Sequence, residues 1–191
     1  MMTPIIHRVN DIKLLKDLPN NYGLEIDVRS NNNNLILSHE PTDQGDFFID
    51  FIEEYNHQLL VVNVKEAGIE KKILDILKNK GIDNYFLLDI EFPFLLQNHS
   101  EFGKNLSVRY SKYESIETAK NFVESVSWMW IDTYKDFELN EEAADIVKKF
   151  NVCLVSPSRW GQSERLNYFI EKFKNFKIDI DYVMVENGEL I

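Results

Sequence analysis

Short apolar runs rich in β-branched and aromatic residues recur along the chain at Ile5–Val9, Gly23–Arg29, Leu35–His39, Leu59–Lys65, Tyr85–Ile90, Leu106–Ser111, Val126–Asp132, Val152–Ser156 and Tyr182–Val185. Runs of this length and composition, bounded by turn formers, predict strands. Between most of them the apolar positions return at helical spacing. That pattern predicts helices over Asp11–Leu18, Phe47–Tyr55, Glu70–Lys80, Phe94–Gly103, Ile116–Glu124, Asn140–Phe150 and Glu164–Phe176. Gly81 and Gly103 are placed as helix stops, and Asn140 and Ser163 as caps.

The tetrad Asn31–Asn34 joins two of the strand-like runs and predicts a hairpin turn, because asparagine tolerates the left-handed backbone such turns require. With Leu35–His39 as the return arm of that hairpin, eight strands remain and seven are followed by a helix. The count is that of an α/β chain folded as a compact (β/α)8, or TIM, barrel without its last helix and with a short hairpin after strand 2. An open doubly wound sheet would bury its strands on both faces and show nearly continuous apolar runs. Here polar residues occupy alternate positions near the carboxyl ends: Glu25 and Asp27, Asn63 and Lys65, Asp89 and Glu91, Arg109 and Ser111, Trp130 and Asp132, Ser156 and Ser158. In a barrel these would project at the end of the strands where barrel enzymes carry their active sites. An antiparallel sheet with one wet face would alternate in the same way, but intervening helices imply parallel neighbours.

Length and charge narrow the picture further. At 191 residues the chain reads as a single domain over 1–191, with seven Gly and five Pro leaving little room for flexible linkers. One cysteine, Cys153, excludes an internal disulfide and suits a reducing compartment. The amino terminus lacks a secretory pattern and no stretch has the apolar length of a membrane span, so a cytoplasmic location without membrane insertion is expected. A net charge of −11 argues against a nucleic-acid partner, since phosphate backbones are held by clustered Lys and Arg. A small anionic substrate remains compatible if a cation or a few converging basic side chains hold it. No oligomeric state is implied.

Candidate chemistry concentrates in the first part of the chain. Glu25 and Asp27, two residues apart in a strand, point the same way and can share a divalent cation, while His7 and His39 can move protons. The stretch Ile6-His-Arg-Val9, then Gly23-Leu-Glu-Ile-Asp-Val-Arg29, the Asn turn, and Leu35-Ile-Leu-Ser-His-Glu40 resembles the start of the glycerophosphodiester phosphodiesterases and the wider phospholipase-C-like barrel superfamily. In that family a His-Arg pair ends the first strand, Glu-x-Asp the second, and a His the hairpin after it. Asn63-Val-Lys65 is similar, more weakly, to the family's acidic-x-Lys on the next strand.

The resemblance implies metal-assisted cleavage of a small-molecule phosphodiester. Glu25 and Asp27 would hold Mg²⁺ or Ca²⁺, with Asn63 or Asp89 completing the site; His7 and His39 would act as general base and acid; Arg8 and Lys65 would contact the non-bridging oxygens. The sequence departs from the family at three places. Val9 replaces the Gly after His-Arg, Asn63 stands where an acidic ligand is usual, and no substrate-binding insertion fits between His39 and the helix expected at Phe47. The resemblance thus implies a phosphodiesterase acting on a glycerophosphodiester-like or a sugar or polyol phosphodiester. The alternatives are a barrel that binds a phosphorylated ligand or protein partner without turnover, or a lyase forming a cyclic phosphate.

Later strands add candidates. Arg109 is placed at a substrate phosphate, and Glu91, Trp130, Asp132, Ser156 and Ser158 at a pocket. The Ser-rich turn Ser156–Ser163, opening onto a helix, can bind an anion through backbone N–H groups or be a plain loop with a cap at Ser163. His57 and His99 are assigned to the surface, and Cys153 and Trp128 to the core.

Overall fold

A computed structural model of the chain describes residues 2–186. Its elements are β1 (Thr3–Ile6), α1 (Ile12–Asp17), β2 (Gly23–Asn31), β3 (Asn34–Leu37), α2 (Phe48–Glu54), β4 (Leu59–Val64), α3 (Glu70–Asn79), β5 (Tyr85–Leu88), α4 (Phe92–Phe102), β6 (Ser107–Tyr110), α5 (Ile116–Lys120), β7 (Trp128–Ile131), α6 (Glu141–Val147), β8 (Asn151–Val155), α7 (Leu166–Asn175) and β9 (Tyr182–Val185). Strand order is β5-β4-β2-β1-β9-β8-β7-β6, with β3 attached to β2. Eight strands alternating with seven helices in this order have the (β/α)8 pattern predicted from the sequence. The expected lack of a last helix concerns residues 187–191, which lie outside the described residues. The chain packs as two compact units, Ile6–Leu96 and Met1–Ile5 with Gln97–Ile191.

In the first unit, β2 runs parallel to β4 with Glu25 opposite Val61 and Asp27 opposite Asn63. The fully buried Leu24, Ile26, Leu60 and Val62 make these strands core elements. The hairpin forms as expected, with Asn31 paired to Asn34 and Asn32 left-handed at φ 53°. Its return arm is shorter than predicted. After Leu37 the chain leaves the ladder: the Ser38 N–H bonds to the Asp27 carbonyl and His39 lies in the next loop. Asp11 caps α1 by accepting from the Leu14 N–H at 2.7 Å, and Gly81, at φ 69°, ends the segment after α3.

The second unit carries the parallel pairs β6–β7, β7–β8 and β8–β9. Asn140 caps α6, accepting from the Ala143 N–H at 2.9 Å. Ser163 does not cap α7. It opens a short 3-10 turn, and α7 begins at Leu166 with no side-chain cap. Gly103 is not the left-handed stop expected of it either; it begins a 3-10 turn, and a Cβ there would come within 1.6 Å of the Ser125 carbonyl oxygen. Cys153, Trp128 and Trp130 are buried.

The two histidines assigned to the surface are half-buried. His57 Nε2 bonds to the Leu18 carbonyl at 3.2 Å, and His99 Nδ1 to the Ser125 hydroxyl at 2.9 Å with its ring edge-on to Phe122. Helical periodicity misplaced them because each is anchored by a segment distant in sequence.

Gly103→Ala should therefore destabilise the protein by about 1–3 kcal/mol, since the new methyl meets backbone rather than a movable side chain. Urea unfolding measures this; an unchanged midpoint would show that the close approach to Ser125 is not tight.

Candidate active site

β2 holds two side chains that parallel sheets rarely bury. Glu25 is 1% exposed and Asp27 fully buried. Their shared parity on the strand sends both the same way, and surrounding elements supply polar partners. The Arg8 backbone N–H donates to Glu25 Oε2 at 2.8 Å, and the Asn63 amide donates to Oε1 at 3.2 Å. Asp27 is clamped reciprocally by Asn10: its own N–H donates to Asn10 Oδ1 and its Oδ2 accepts from Asn10 Nδ2, both at 2.8 Å. Lys65 Nζ stands 3.6 Å from Asp27 Oδ1.

Geometry at Arg8 carries a cost. Its φ of 56° is left-handed, which in a non-glycine residue costs roughly 1–2 kcal/mol. That turn aims its N–H at the buried Glu25, so the 2.8 Å bond to Oε2 offsets the strain.

His7 Nε2 lies 4.0 Å from Glu25 Oε2. His39 is held on both sides, with Nδ1 2.7 Å from Glu40 Oε1 and Nε2 2.5 Å from Arg8 Nη2. A guanidinium cannot accept, so His39 Nε2 is the acceptor and Nδ1 carries the hydrogen. Glu40, paired with the His39 ring, has its carboxyl held below the usual range.

Of the residues singled out from the sequence, His7, Arg8, His39 and Asn63 are thus linked by direct contacts through Glu25 or Arg8, and Lys65 meets Asp27, two residues along β2 from Glu25. Asn10 belongs with them and was not foreseen. Its signal was faint, a lone amide just past the first strand, because the bond it makes spans 17 residues.

Electrostatics here are unbalanced. Burial, reinforced by the neighbouring Asp27, pushes the Glu25 carboxyl up to about 8, while the Arg8 N–H and the Asn63 amide pull it down. Asp27 Oδ1 and Asn63 Oδ1 are both buried without a hydrogen-bond partner. Oxygen acceptors of this type suit a hard divalent cation, which would neutralise the crowded carboxylates. Among the described residues, however, no group of three or more His, Cys, Asp or Glu side chains is placed to hold a metal ion. Asp89, left-handed at φ 57° and exposed at the end of β5, acts on Glu25 through its charge without completing a carboxylate triad. Glu91 is exposed beside it.

In the second unit Arg109 is bracketed by acids, Nε 2.6 Å from Glu114 Oε1 and Nη2 2.8 Å from Asp132 Oδ2. Its charge is committed to those two carboxylates. Trp130 is 4% exposed and packs in the core. The Ser156–Ser163 segment spends its N–H groups internally: Ser158 on the Ser156 hydroxyl, Arg159 on the Ser156 carbonyl, Gly161 on Ser158, Gln162 on Pro157. An anion held by that backbone, as the sequence allowed, would have to displace these bonds.

No protein-family model and no curated protein matches the sequence. Solved structures do. A glycerophosphodiester phosphodiesterase from Agrobacterium tumefaciens is 12% identical, with 96% of each chain covered and a TM-score of 0.64. A glycerophosphoryl diester phosphodiesterase from Parabacteroides distasonis is 11% identical over 97% of this chain and 82% of that one, at 0.62. A mutant tryptophan synthase α-subunit from Pyrococcus furiosus is 12% identical over 97% and 86%, at 0.60. At such identities the likeness is one of fold: the chain shares the TIM-barrel fold of the glycerophosphodiester phosphodiesterases over nearly its whole length.

Glu25 makes stability depend on pH. Its folded value is raised from 4.5 to about 8, so the folded protein holds a proton that the unfolded chain releases; stability conferred below 4.5 is lost as pH rises through about 8. In the presence of chelator the melting temperature should fall across that interval, and Glu25→Gln should flatten the fall. An identical slope in the variant would assign the pH dependence elsewhere.

Proposed function

We propose that the protein is a metal-dependent phosphodiester hydrolase of the cytoplasm that acts on a glycerophosphodiester-like or a sugar or polyol phosphodiester. The observation that carries this reading is a pair of buried carboxyl groups two residues apart on β2, with His7, Arg8 and, through Arg8, His39 on Glu25 and Lys65 on Asp27. A buried acidic pair alone would be a liability; flanked by two imidazoles and two cations it is a reagent set for moving protons around an anionic ester.

Glu25, Asp27 and Asn63 would hold Mg²⁺ or Ca²⁺ through oxygen, the two unbonded acceptors Asp27 Oδ1 and Asn63 Oδ1 being the available donors to it. Such an ion supplies charge neutralisation at a non-bridging phosphate oxygen. Lys65 and Arg8 add to it. The Arg8 Nε is buried without a hydrogen-bond partner, so the guanidinium has a donor to offer an entering phosphate oxygen.

The hydrogen-bond pattern supports one division of the proton roles. His39 Nε2, the acceptor in the contact with Arg8, is read as the base that takes the proton of the attacking water, or of a neighbouring substrate hydroxyl. Glu40 on Nδ1 steadies that tautomer. His7, 4.0 Å from Glu25 Oε2, is then read as the acid that gives its proton to the departing alkoxide. With water as nucleophile the products are a monoester and an alcohol; with a vicinal hydroxyl the first product is a cyclic phosphate.

A second reading has one specific observation in its favour. Asn63 brings no charge, and only two carboxylates line the centre of the group, so the ion would be held weakly and the protein could bind a phosphorylated ligand without turnover.

Incubation with bis(4-nitrophenyl) phosphate and with glycerophosphodiesters, each with Mg²⁺, Ca²⁺ or chelator, separates the two. The hydrolase reading expects divalent-dependent release that His7→Ala and His39→Ala each lower by about 10²–10⁴. Activity surviving both substitutions would overturn the acid–base assignment, and phosphate-ester binding with no release would favour the binder. Asn63→Asp should tighten Mg²⁺ or Ca²⁺ binding in calorimetry, because it adds a carboxylate where the amide oxygen stands. Unchanged affinity would remove Asn63 from the ion's surroundings.

A further inference from the structure

A second concentration of chemistry lies within the Gln97–Ile191 unit, apart from anything the proposed hydrolase uses. The loops after β6, β7 and β8 line a cavity of about 560 Å³ with Lys112, Tyr134, Lys135, Asp136, Trp160, Gln162 and Arg165. In a chain of net charge −11 this is a basic wall. Among the described residues none of Lys112, Lys135 and Arg165 has a carboxylate partner. The one acid present is already committed: Asp136 accepts from Lys172 Nζ and from the Tyr168 hydroxyl, both at 2.6 Å.

Aromatic surface accompanies the cations. Tyr134 meets Trp160 edge to face with centroids 4.8 Å apart, and Tyr113 lies 6.2 Å from Tyr134. Tyr113 is 68% and Tyr134 45% exposed, a large apolar area to leave in water. Lys135 sits over both tyrosine rings, 5.8 and 6.0 Å from their centroids, which draws its ammonium to the ring wall rather than out into solvent. Arg165 is braced in the same way, its Nη1 on Gln162 Oε1 at 2.7 Å and its plane over Tyr168 and Phe169. The Trp160 indole N–H is buried and has no hydrogen-bond partner, leaving an unused donor on a ring that lines the cavity.

Each half of this lining selects against a simple ligand. Inorganic anions would use the cations and leave the rings wet, and a neutral apolar molecule would use the rings and leave the cations unpaired. We propose that this cavity binds a small organophosphate in which the phosphate is joined to a ring, the phosphate on Lys112, Lys135 and Arg165 and the ring against Tyr134 and Trp160. Planar nucleobases stack on such faces and pyranose rings lie on them through C–H groups, so nucleoside monophosphates and sugar phosphates share the required chemistry.

The test is calorimetric titration of the full chain with AMP, glucose 6-phosphate, inorganic phosphate, adenosine and glucose. At least one of the two organophosphates should bind roughly ten times more tightly than phosphate and than its own unphosphorylated ring compound. Whichever is preferred identifies the ring class. Lys112→Gln combined with Lys135→Gln, both exposed, should weaken that binding by roughly tenfold or more, and Trp160→Leu should weaken it as well. Binding should persist in Glu25→Gln/Asp27→Asn with chelator present, which keeps failure here distinct from failure of the hydrolase reading. Equal binding of phosphate and organophosphate, indifference to the lysine pair, or loss of binding in the carboxylate variant would each overturn the proposal.

Discussion

Two carboxyl groups buried side by side on β2 are the constraint around which the first unit is arranged. Removing a carboxylate from water is expensive unless hydrogen bonds and opposite charges replace the solvent. Each neighbouring segment contributes to that replacement. The end of β1 adopts a left-handed turn so that the Arg8 N–H meets Glu25, the loop into α1 brings Asn10 onto Asp27, and β4 places Asn63 opposite Asp27 and within reach of Glu25. Compensation is nonetheless partial. Glu25 remains far above the ordinary carboxyl range because burial and the neighbouring Asp27 outweigh the bonds from the Arg8 N–H and the Asn63 amide, while Lys65 stands against Asp27.

That imbalance is how the site would gain chemical competence. A site fully neutralised by protein groups would have no use for a cation or an anionic substrate, whereas one with unbonded acceptor oxygens and an underused guanidinium can bind both. The same logic distinguishes the basic residues elsewhere. Arg109 lies between Glu114 and Asp132, while Lys112, Lys135 and Arg165 lie against aromatic rings or solvent with no carboxylate partner among the described residues. The fold itself does not choose among these uses, since phosphodiesterases and a tryptophan synthase subunit share it with this chain at similar identity.

Local rules succeeded where one segment's own pattern decides the outcome. Asn140 caps its helix, Gly81 ends its segment left-handed, and the Asn tetrad turns a hairpin, each because the stabilising bond or backbone preference lies within a few residues. The failures share a different cause. Gly103 is glycine because the Ser125 carbonyl approaches it, Ser163 has polar chemistry suited to a cap but a 3-10 turn takes its place, and His57 and His99 are anchored by residues 39 and 26 positions away.

Sequence alone determined the alternation of strands and helices, and the single parity of Glu25 and Asp27, because hydrophobic periodicity and side-chain direction are properties of the backbone repeat. It also placed His7, Arg8 and His39 at strand or hairpin ends near that pair. Tertiary structure decided the rest: Asn10 as the clamp on Asp27, Arg8 as the bridge to His39, Asp89 as a charge felt by Glu25, and Arg109 as the partner of two acids. Those outcomes depend on how far each strand runs before its loop departs and on which neighbour's N–H, amide or guanidinium then arrives at hydrogen-bond distance. No spacing within a single segment encodes that.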